Sequence, residues 1–253
     1  KVRSIRFENV SFAYPKTDKK VLDGISFKIR EGEKISIVGL NGAGKSTIVK
    51  LLCRLYKPDS GRILINDTDI FEYEQASYLS AIAAVFQDFK LFNFTIQENI
   101  TTKPAGVDDE KVERILSEVG IAEKVHSLPK GMQTLFGKEY DEEGVEFSGG
   151  QAQKIAIARA LYKDASLVVL DAPASALDPI AEAEIYENFN QMGGDKTAIY
   201  SSHRMSSSVF CDRILVVNDG RIEAFGPHKK LMEDKNGLYA RLFASQAENY
   251  KVS

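Results

Sequence analysis

The sequence predicts an α/β fold in three parts: a parallel core, an antiparallel sheet at the N-terminus and an inserted helical lobe. Three observations predict it. The chain opens on alternating runs, Ile5 and Phe7 against Arg6 and Glu8, then Ile25, Phe27 and Ile29 against Ser26, Lys28 and Arg30. Period-two alternation is the pattern of half-buried antiparallel strands. Largely apolar runs such as Ile35–Val38, Leu167–Leu170 and Thr197–Tyr200 read instead as strands buried in a sheet. Between these two kinds of segment, roughly residues 88 to 160 carry helical spacing, which marks the lobe.

Element by element, Ile35–Val38 runs into a glycine-rich loop and then a stripe at Ile48, Leu51, Leu52 and Leu55, the i, i+3, i+4, i+7 spacing of an amphipathic helix. Lys57-Pro58-Asp59-Ser60-Gly61 supplies the turn that ends it. In the lobe, Asp108 or Asp109 caps a helix with its stripe at Val112, Ile115, Leu116 and Val119, and Gly120 stops it. Near the C-terminus Asn218-Asp219-Gly220 joins two strands as a hairpin. The expected division is 1–87 with 161–253 as the α/β core and 88–160 as the helical subdomain.

The bulk numbers bound the function. With 253 residues, 43% apolar and 27% charged, the balance is that of a globular protein. No apolar run approaches the ~20 residues of a membrane-crossing helix. A net charge of −3 gives no electrostatic footprint for nucleic acid, and no nucleic-acid partner is expected. Cys53 and Cys211 lie too far apart for a metal or redox spacing, which fits a reducing compartment. The chain begins at Lys1 and not at Met, which fits a piece of a longer protein or a processed chain.

Chemistry concentrates in three places. Gly39-Leu40-Asn41-Gly42-Ala43-Gly44-Lys45-Ser46, followed by Thr47, fits G-x-x-x-x-G-K-[ST] between a strand and a helix. Glycines let the backbone wrap phosphate, and the helix N-terminus adds positive potential. Lys45 is then expected to reach the β- and γ-phosphates and Ser46 to ligate Mg²⁺. Leu167–Leu170 ends in Asp171, a carboxylate that can help hold Mg²⁺ once a phosphate loop is present. Taken alone it would read as an ordinary capping residue. Ser148-Gly149-Gly150-Gln151 opens a further helix and is an anion site or an ordinary N-cap.

Taken together, these residues resemble the nucleotide-binding domain of the ABC transporter family over nearly the whole chain. Ser148–Gln151 matches the family's signature, with Phe147 where Leu is usual. Gln87 matches the Q-loop glutamine, which joins Ser46 and Asp171 as an expected Mg²⁺ ligand. Tyr14 matches the aromatic that stacks on adenine, Asp178 in Ser175-Ala176-Leu177-Asp178 the D-loop, and His203 the histidine that contacts the γ-phosphate. The resemblance implies a P-loop NTPase (RecA-like) core. It also implies ATP and Mg²⁺ as cofactors and a head-to-tail dimer with an identical or homologous domain. In that dimer each ATP lies between one phosphate loop and the other chain's Ser148, Gly149 and Gly150, with Gln151 and Asp178 beside them. Transmembrane domains, fused or separate, complete the expected partners at the cytoplasmic face of the cell membrane. Glu142-Glu143-Gly144 resembles the exporter pattern Glu-x-Gly, although Tyr140 and Asp141 depart from its preceding Val-Gly.

One departure bears on mechanism. The family pattern Asp-Glu-Pro-Thr is here Asp171-Ala172-Pro173-Ala174. The missing Glu is the base that activates water, and a methyl group takes no proton, so this pocket is expected to bind ATP better than it hydrolyses it. Ala172 reads as an engineered trap or as natural divergence, and the further change at Ala174 favours divergence. Two rival functions remain: an ATP-gated clamp acting on nucleic acid or the ribosome, and an ATP-binding regulator without turnover. Two other segments carry expectations. Of Phe89, Leu91, Phe92, Phe94 and Ile96, one or two are expected to stay exposed and line a groove for a membrane-domain helix. The last stretch, Leu231 with Leu238, Leu242 and Phe243, is expected to be a helix that packs on its own core or on the partner, interrupted at Asn236-Gly237.

Overall fold

The alternation at the N-terminus builds a four-stranded antiparallel sheet in a computed structural model that describes residues 1–171, 196–201 and 205–249. Its strands are β1 (Ser4–Ala13), β2 (Lys20–Arg30), β4 (Ser60–Ile65) and β5 (Thr68–Asp69), in the order β2-β1-β4-β5. The alternation breaks after Phe7, where Asn9 takes a left-handed φ of 48° and the register shifts before Val10. That bulge is closely packed: a Cβ on Gly61 would stand 2.3 Å from the Asn9 carbonyl oxygen.

The apolar runs form a second sheet of six described strands, ordered β10-β9-β3-β8-β7-β6. These are β3 (Lys34–Val38), β6 (Ile82–Val85), β7 (Leu167–Asp171), β8 (Thr197–Ser201), β9 (Arg213–Asn218) and β10 (Arg221–Gly226). The β3, β6, β7, β8 and β9 pairings are parallel, and β9–β10 is an antiparallel hairpin. Asp219 and Gly220 turn that hairpin with φ of 44° and 75°, the two positive values of a type I′ turn.

Because side chains alternate across a strand, this sheet feeds separate cores. On one face Ile35, Ile37, Leu167, Val169, Ile199 and Leu215 meet the antiparallel sheet and α1 (Lys45–Leu52). On the other, Val168, Leu170, Ala198 and Tyr200 meet the helical lobe. The lobe contains α3 (Ile96–Thr101), α4 (Asp109–Glu118), α5 (Ala122–His126) and α6 (Gly149–Tyr162); α2 (Gln75–Ser80) precedes it. Val38, Ile214 and Val216 pack with Leu238 and Tyr239 of the helix Leu238–Asn249, so the last stretch covers its own core. That helix follows a shorter one, His228–Glu233, and the interruption falls at Asn236-Gly237 as expected.

Two helix ends show how the signals worked. Asp108 caps α4 by accepting from the Lys111 amide at 3.0 Å, and Gly120, with φ 69°, closes it. Helix α1 ends earlier than its stripe predicts. Leu55 does not continue the helix and is exposed. Arg54 takes φ 56°, its amide donates to the Leu51 carbonyl and the Leu55 amide donates to the Lys50 carbonyl, both at 3.0 Å. This is a Schellman closure with arginine where glycine is usual, and it swings Leu55 off the apolar face.

Candidate functional site

Strand β3, buried along its whole length, delivers the chain to Gly39–Ser46 at the C-terminal edge of the parallel sheet. Register brings Ile37, Ser201 and Asp171 side by side there, because β8 lies between β3 and β7. An open α/β sheet binds its ligands at that edge. Gly39 fits only as glycine, since a Cβ would lie 2.2 Å from the Val217 carbonyl oxygen. Gly42 has φ 77° and open space where a side chain would stand. The loop is also clipped from outside: the Gly220 amide donates to the Ala43 carbonyl at 3.0 Å, and the Asp23 amide to the Gly220 carbonyl at 2.9 Å.

Lys45 is buried at the start of α1, with Nζ donating to the Gly39 and Leu40 carbonyls at 2.7 and 2.8 Å. Its ammonium therefore lies inside the curve of the loop. Burial pulls its pKa below the ordinary lysine value, and the Asp171 carboxylate offsets part of that. Ser46 Oγ donates to Asp171 Oδ1 at 3.0 Å, so hydroxyl and carboxylate share one spot. Thr47, also buried, hydrogen-bonds through Oγ1 to the Tyr14 hydroxyl at 2.9 Å. Tyr14 stands edge-on to Phe12 and Tyr56, with ring centroids 5.1 and 5.2 Å away. Lys50 Nζ lies 5.8 Å from the Tyr14 ring centre. The sequence reading had singled out Tyr14 but not Tyr56, which completes the aromatic corner.

The structure thus brings Tyr14, Gly39, Asn41, Gly42, Ala43, Gly44, Lys45, Ser46, Thr47 and Asp171 to one place. Gln87 is exposed two residues beyond Val85, which pairs with Leu170 beside Asp171. Ser148–Gln151 does not join this group. Ser148 Oγ accepts from the Gln151 amide, and the Gln151 side chain accepts from the Ser148 amide, a capping box on an exposed helix start. Ala172, Ala174, Asp178 and His203 lie outside the described residues.

This arrangement fits Mg²⁺ with a polyphosphate. One hydroxyl and one carboxylate are too few for an all-protein cage, but suit Mg²⁺, which takes its other ligands from phosphate and water. The buried Lys45 ammonium beside a glycine-rich loop supplies the matching positive charge. Among the described residues no group of three or more His, Cys, Asp or Glu is placed to hold a metal by itself.

A second feature lies in the lobe. Phe92 and Phe94 are each more than half exposed, whereas Ile96 is buried and Phe89 and Leu91 are partly so, as expected for a groove. Phe92 and Phe94 line a cavity of about 470 Å³ with Glu98, Asn99, Lys103 and Arg159. Nearby, Gly144 is held where a Cβ would lie 2.0 Å from the Gly137 carbonyl oxygen. Lys130 pairs with Asp141 and Glu143 at 2.6 and 2.9 Å, and its hydrogen bond holds the Asp141 carboxyl below the usual range.

Comparison with known proteins agrees with this geometry. The family model described as ABC transporter matches residues 22–175. The chain is 41% identical to the subtilin transport ATP-binding protein SpaT of Bacillus subtilis, over 98% of this chain and 40% of that protein. It is 38% identical to a mitochondrial iron-sulfur clusters transporter, ATM1 of Candida glabrata, over 96% of this chain and 33% of that protein. An ATP-dependent lipid A-core flippase of Shewanella oneidensis is 39% identical over 96% of the chain, which spans 40% of it. A solved bacterial Atm1-family ABC exporter with ATP bound superposes with a TM-score of 0.89 at 39% identity, covering 97% of this chain and 42% of that one. The chain therefore spans two fifths or less of the length of these curated relatives.

Proposed function

This chain belongs to the ABC transporter family as an exporter-type nucleotide-binding domain, and from that premise we propose that it binds Mg-ATP around Lys45 and closes head-to-tail on a second such domain. The observation that carries this reading is the meeting of Lys45, Ser46 and Asp171 under one glycine-rich loop. Lys45 and the loop amides would hold the phosphates, while Ser46 and Asp171, with Gln87 from the end of β6, would hold Mg²⁺. The metal would neutralise phosphate charge there. Ser148, Gly149, Gly150, Gln151 and Asp178 would serve the partner's ATP, which agrees with the exposed start of α6. His203 would face the γ-phosphate. With Ala172 in place of the usual Glu, turnover at this pocket is slow, which also keeps a regulatory ATP-binding role in view.

ATP stacking is tested at Tyr14. Tyr14→Ala should weaken Mg-ATP binding by about 1–3 kcal/mol, roughly five- to 150-fold in Kd, as aromatic-base stacks are worth. Fluorescent-ATP titration measures it, and a Kd within twofold of the parent would remove Tyr14 from the site.

The partner is the membrane-spanning part of an exporter at the cytoplasmic face of the cell membrane, and nucleic acid is not a partner. No described helix of this chain is long and apolar enough to cross a membrane. The exposed Phe92 and Phe94 support docking of a membrane-domain helix in the groove. A benzophenone label on Phe94→Cys, in membranes holding the full protein, should crosslink to membrane-spanning segments. The same label on Asp67→Cys, in the β4–β5 turn, should not. Crosslinks to ribosomal protein or DNA would install the clamp reading instead.

A further inference from the structure

Asn99 and Arg159 bridge the groove to α6, the helix whose start is Ser148–Gln151. Asn99 of α3 is 2% exposed and gathers the segment after Gln87 around itself. Its Oδ1 accepts from the Phe92 amide at 2.9 Å, and its Nδ2 donates to the Phe92, Phe94 and Thr95 carbonyls at 2.8, 3.3 and 3.1 Å. The backbone that presents Phe92 and Phe94 to the groove is therefore set by Asn99. Arg159 of α6 then clamps this hub: Nε donates to the Asn99 carbonyl at 2.6 Å, Nη2 to Asn99 Oδ1 at 3.0 Å and Nη1 to the Lys90 carbonyl at 3.1 Å. Its guanidinium also lies 5.6 Å from the Phe92 ring centre.

All three acceptors are uncharged, so the arrangement uses the shape of the guanidinium more than its charge. A planar fork can span three carbonyl-type oxygens at once; an ammonium on a flexible stem cannot. Arg159 stands eleven residues from Ser148, about 16 Å along a helix. From Gln151 to Tyr162 that helix contains no glycine or proline. Its middle is buried all round, at Gln153, Ile155, Ala156, Ile157, Ala158 and Ala160. A shift of the groove backbone would thus bear on a helix whose far end is Ser148-Gly149-Gly150.

We propose that Arg159 is a positioning residue that couples occupancy of the Phe92–Phe94 groove to the placement of Ser148–Gly150 against the partner's ATP. It rests on the docking reading given above. In mechanical terms the groove, Asn99, Arg159 and α6 move as one lever, and a docked helix acts on the ATP site through this clamp.

A double-mutant cycle in the full transporter tests it, since independent sites give effects that multiply and coupled sites do not. The readout is the Mg-ATP concentration for half-maximal retention of labelled ATP through rapid desalting. Phe94→Ala should raise that concentration by about fivefold or more with Arg159 present. In the Arg159→Gln background the same change should have an effect below about twofold. Equal effects in both backgrounds overturn the proposal alone. No effect of Phe94→Ala in the parent overturns the docking reading and the proposal with it. If Arg159→Gln fails to fold, Arg159→Lys closes the same cycle; full coupling with Lys would overturn the proposal, because a single ammonium cannot make the three-point clamp.

Discussion

Ala172→Glu should raise ATP turnover by roughly 10²- to 10⁴-fold at the pocket built on Lys45, the range a positioned general base supplies. The two halves of the chemistry separate cleanly. Holding phosphate needs loop amides, Lys45, and the Ser46–Asp171 pair, all of which are in place. On the proposed reading, activating water falls to the residue directly after Asp171, where the sequence has Ala. The parent pocket is therefore expected to keep ATP long and release phosphate slowly. In a dimer of identical chains both pockets lack the base, and the gain on restoring it should appear in full. With a partner that carries its own Glu, one pocket already turns over and the gain is smaller. Steady-state phosphate release by the assembled transporter, with and without the substitution, reads both cases. Fast turnover in the unaltered homodimer would mean that another group takes the proton, His203 being the first to examine.

Lys45→Ala should cost about 2–5 kcal/mol in Mg-ATP binding, the range for truncating one member of a desolvated charge pair, or roughly 30- to several-thousand-fold in Kd. The side chain is buried and aimed into the loop, so no neighbouring lysine can replace it. A pH dependence should accompany the loss. Burial lowers the Lys45 pKa, so its charged form is lost at a lower pH than that of a solvated lysine. Phosphate binds the charged form. Affinity should thus be full at neutral pH and fall as pH rises toward that lowered pKa, and the fall should be absent in Lys45→Ala. Calorimetric titration across pH measures both, and an unchanged Kd in the variant would end the assignment of this loop.

How much of this was legible follows from which signals are local. The strand–loop–helix around Lys45, the Asp219-Gly220 turn and the Asp108 cap are written in adjacent residues, and each formed where its local chemistry points. Two helix closures show the limit. Gly120 and Arg54 end their helices in the same left-handed conformation, but only glycine announces it. Leu55 was misassigned for that reason alone. Asn99 and Arg159 were missed because a polar residue on an amphipathic helix reads as surface; their role depends on partners such as Lys90, brought together by tertiary structure. Tyr239 was passed over among the leucines of its helix. It is 2% exposed, and its hydroxyl hydrogen-bonds Ser208 and His228 at 2.8 and 2.7 Å. The pairing of Tyr14 with Tyr56 likewise joins two loop residues far apart in the chain. Residues 172–195 and 202–204, where Ala172, Asp178 and His203 fall, lie outside what is described.

The clip of Gly220 on Ala43 has a consequence for biogenesis. A ribosome makes the phosphate loop in the first fifth of this chain, but the amide that holds the loop's backbone arrives about 180 residues later. Contacts of such wide sequence separation form late, because chain closure must precede them. The nascent domain therefore passes most of its synthesis with a nucleotide loop that is made but not yet fastened. The loop's backbone is fastened by the finished β9–β10 hairpin as well as by its own motif. A nascent chain halted before Arg213 carries every residue of that motif without the clip that sets its shape.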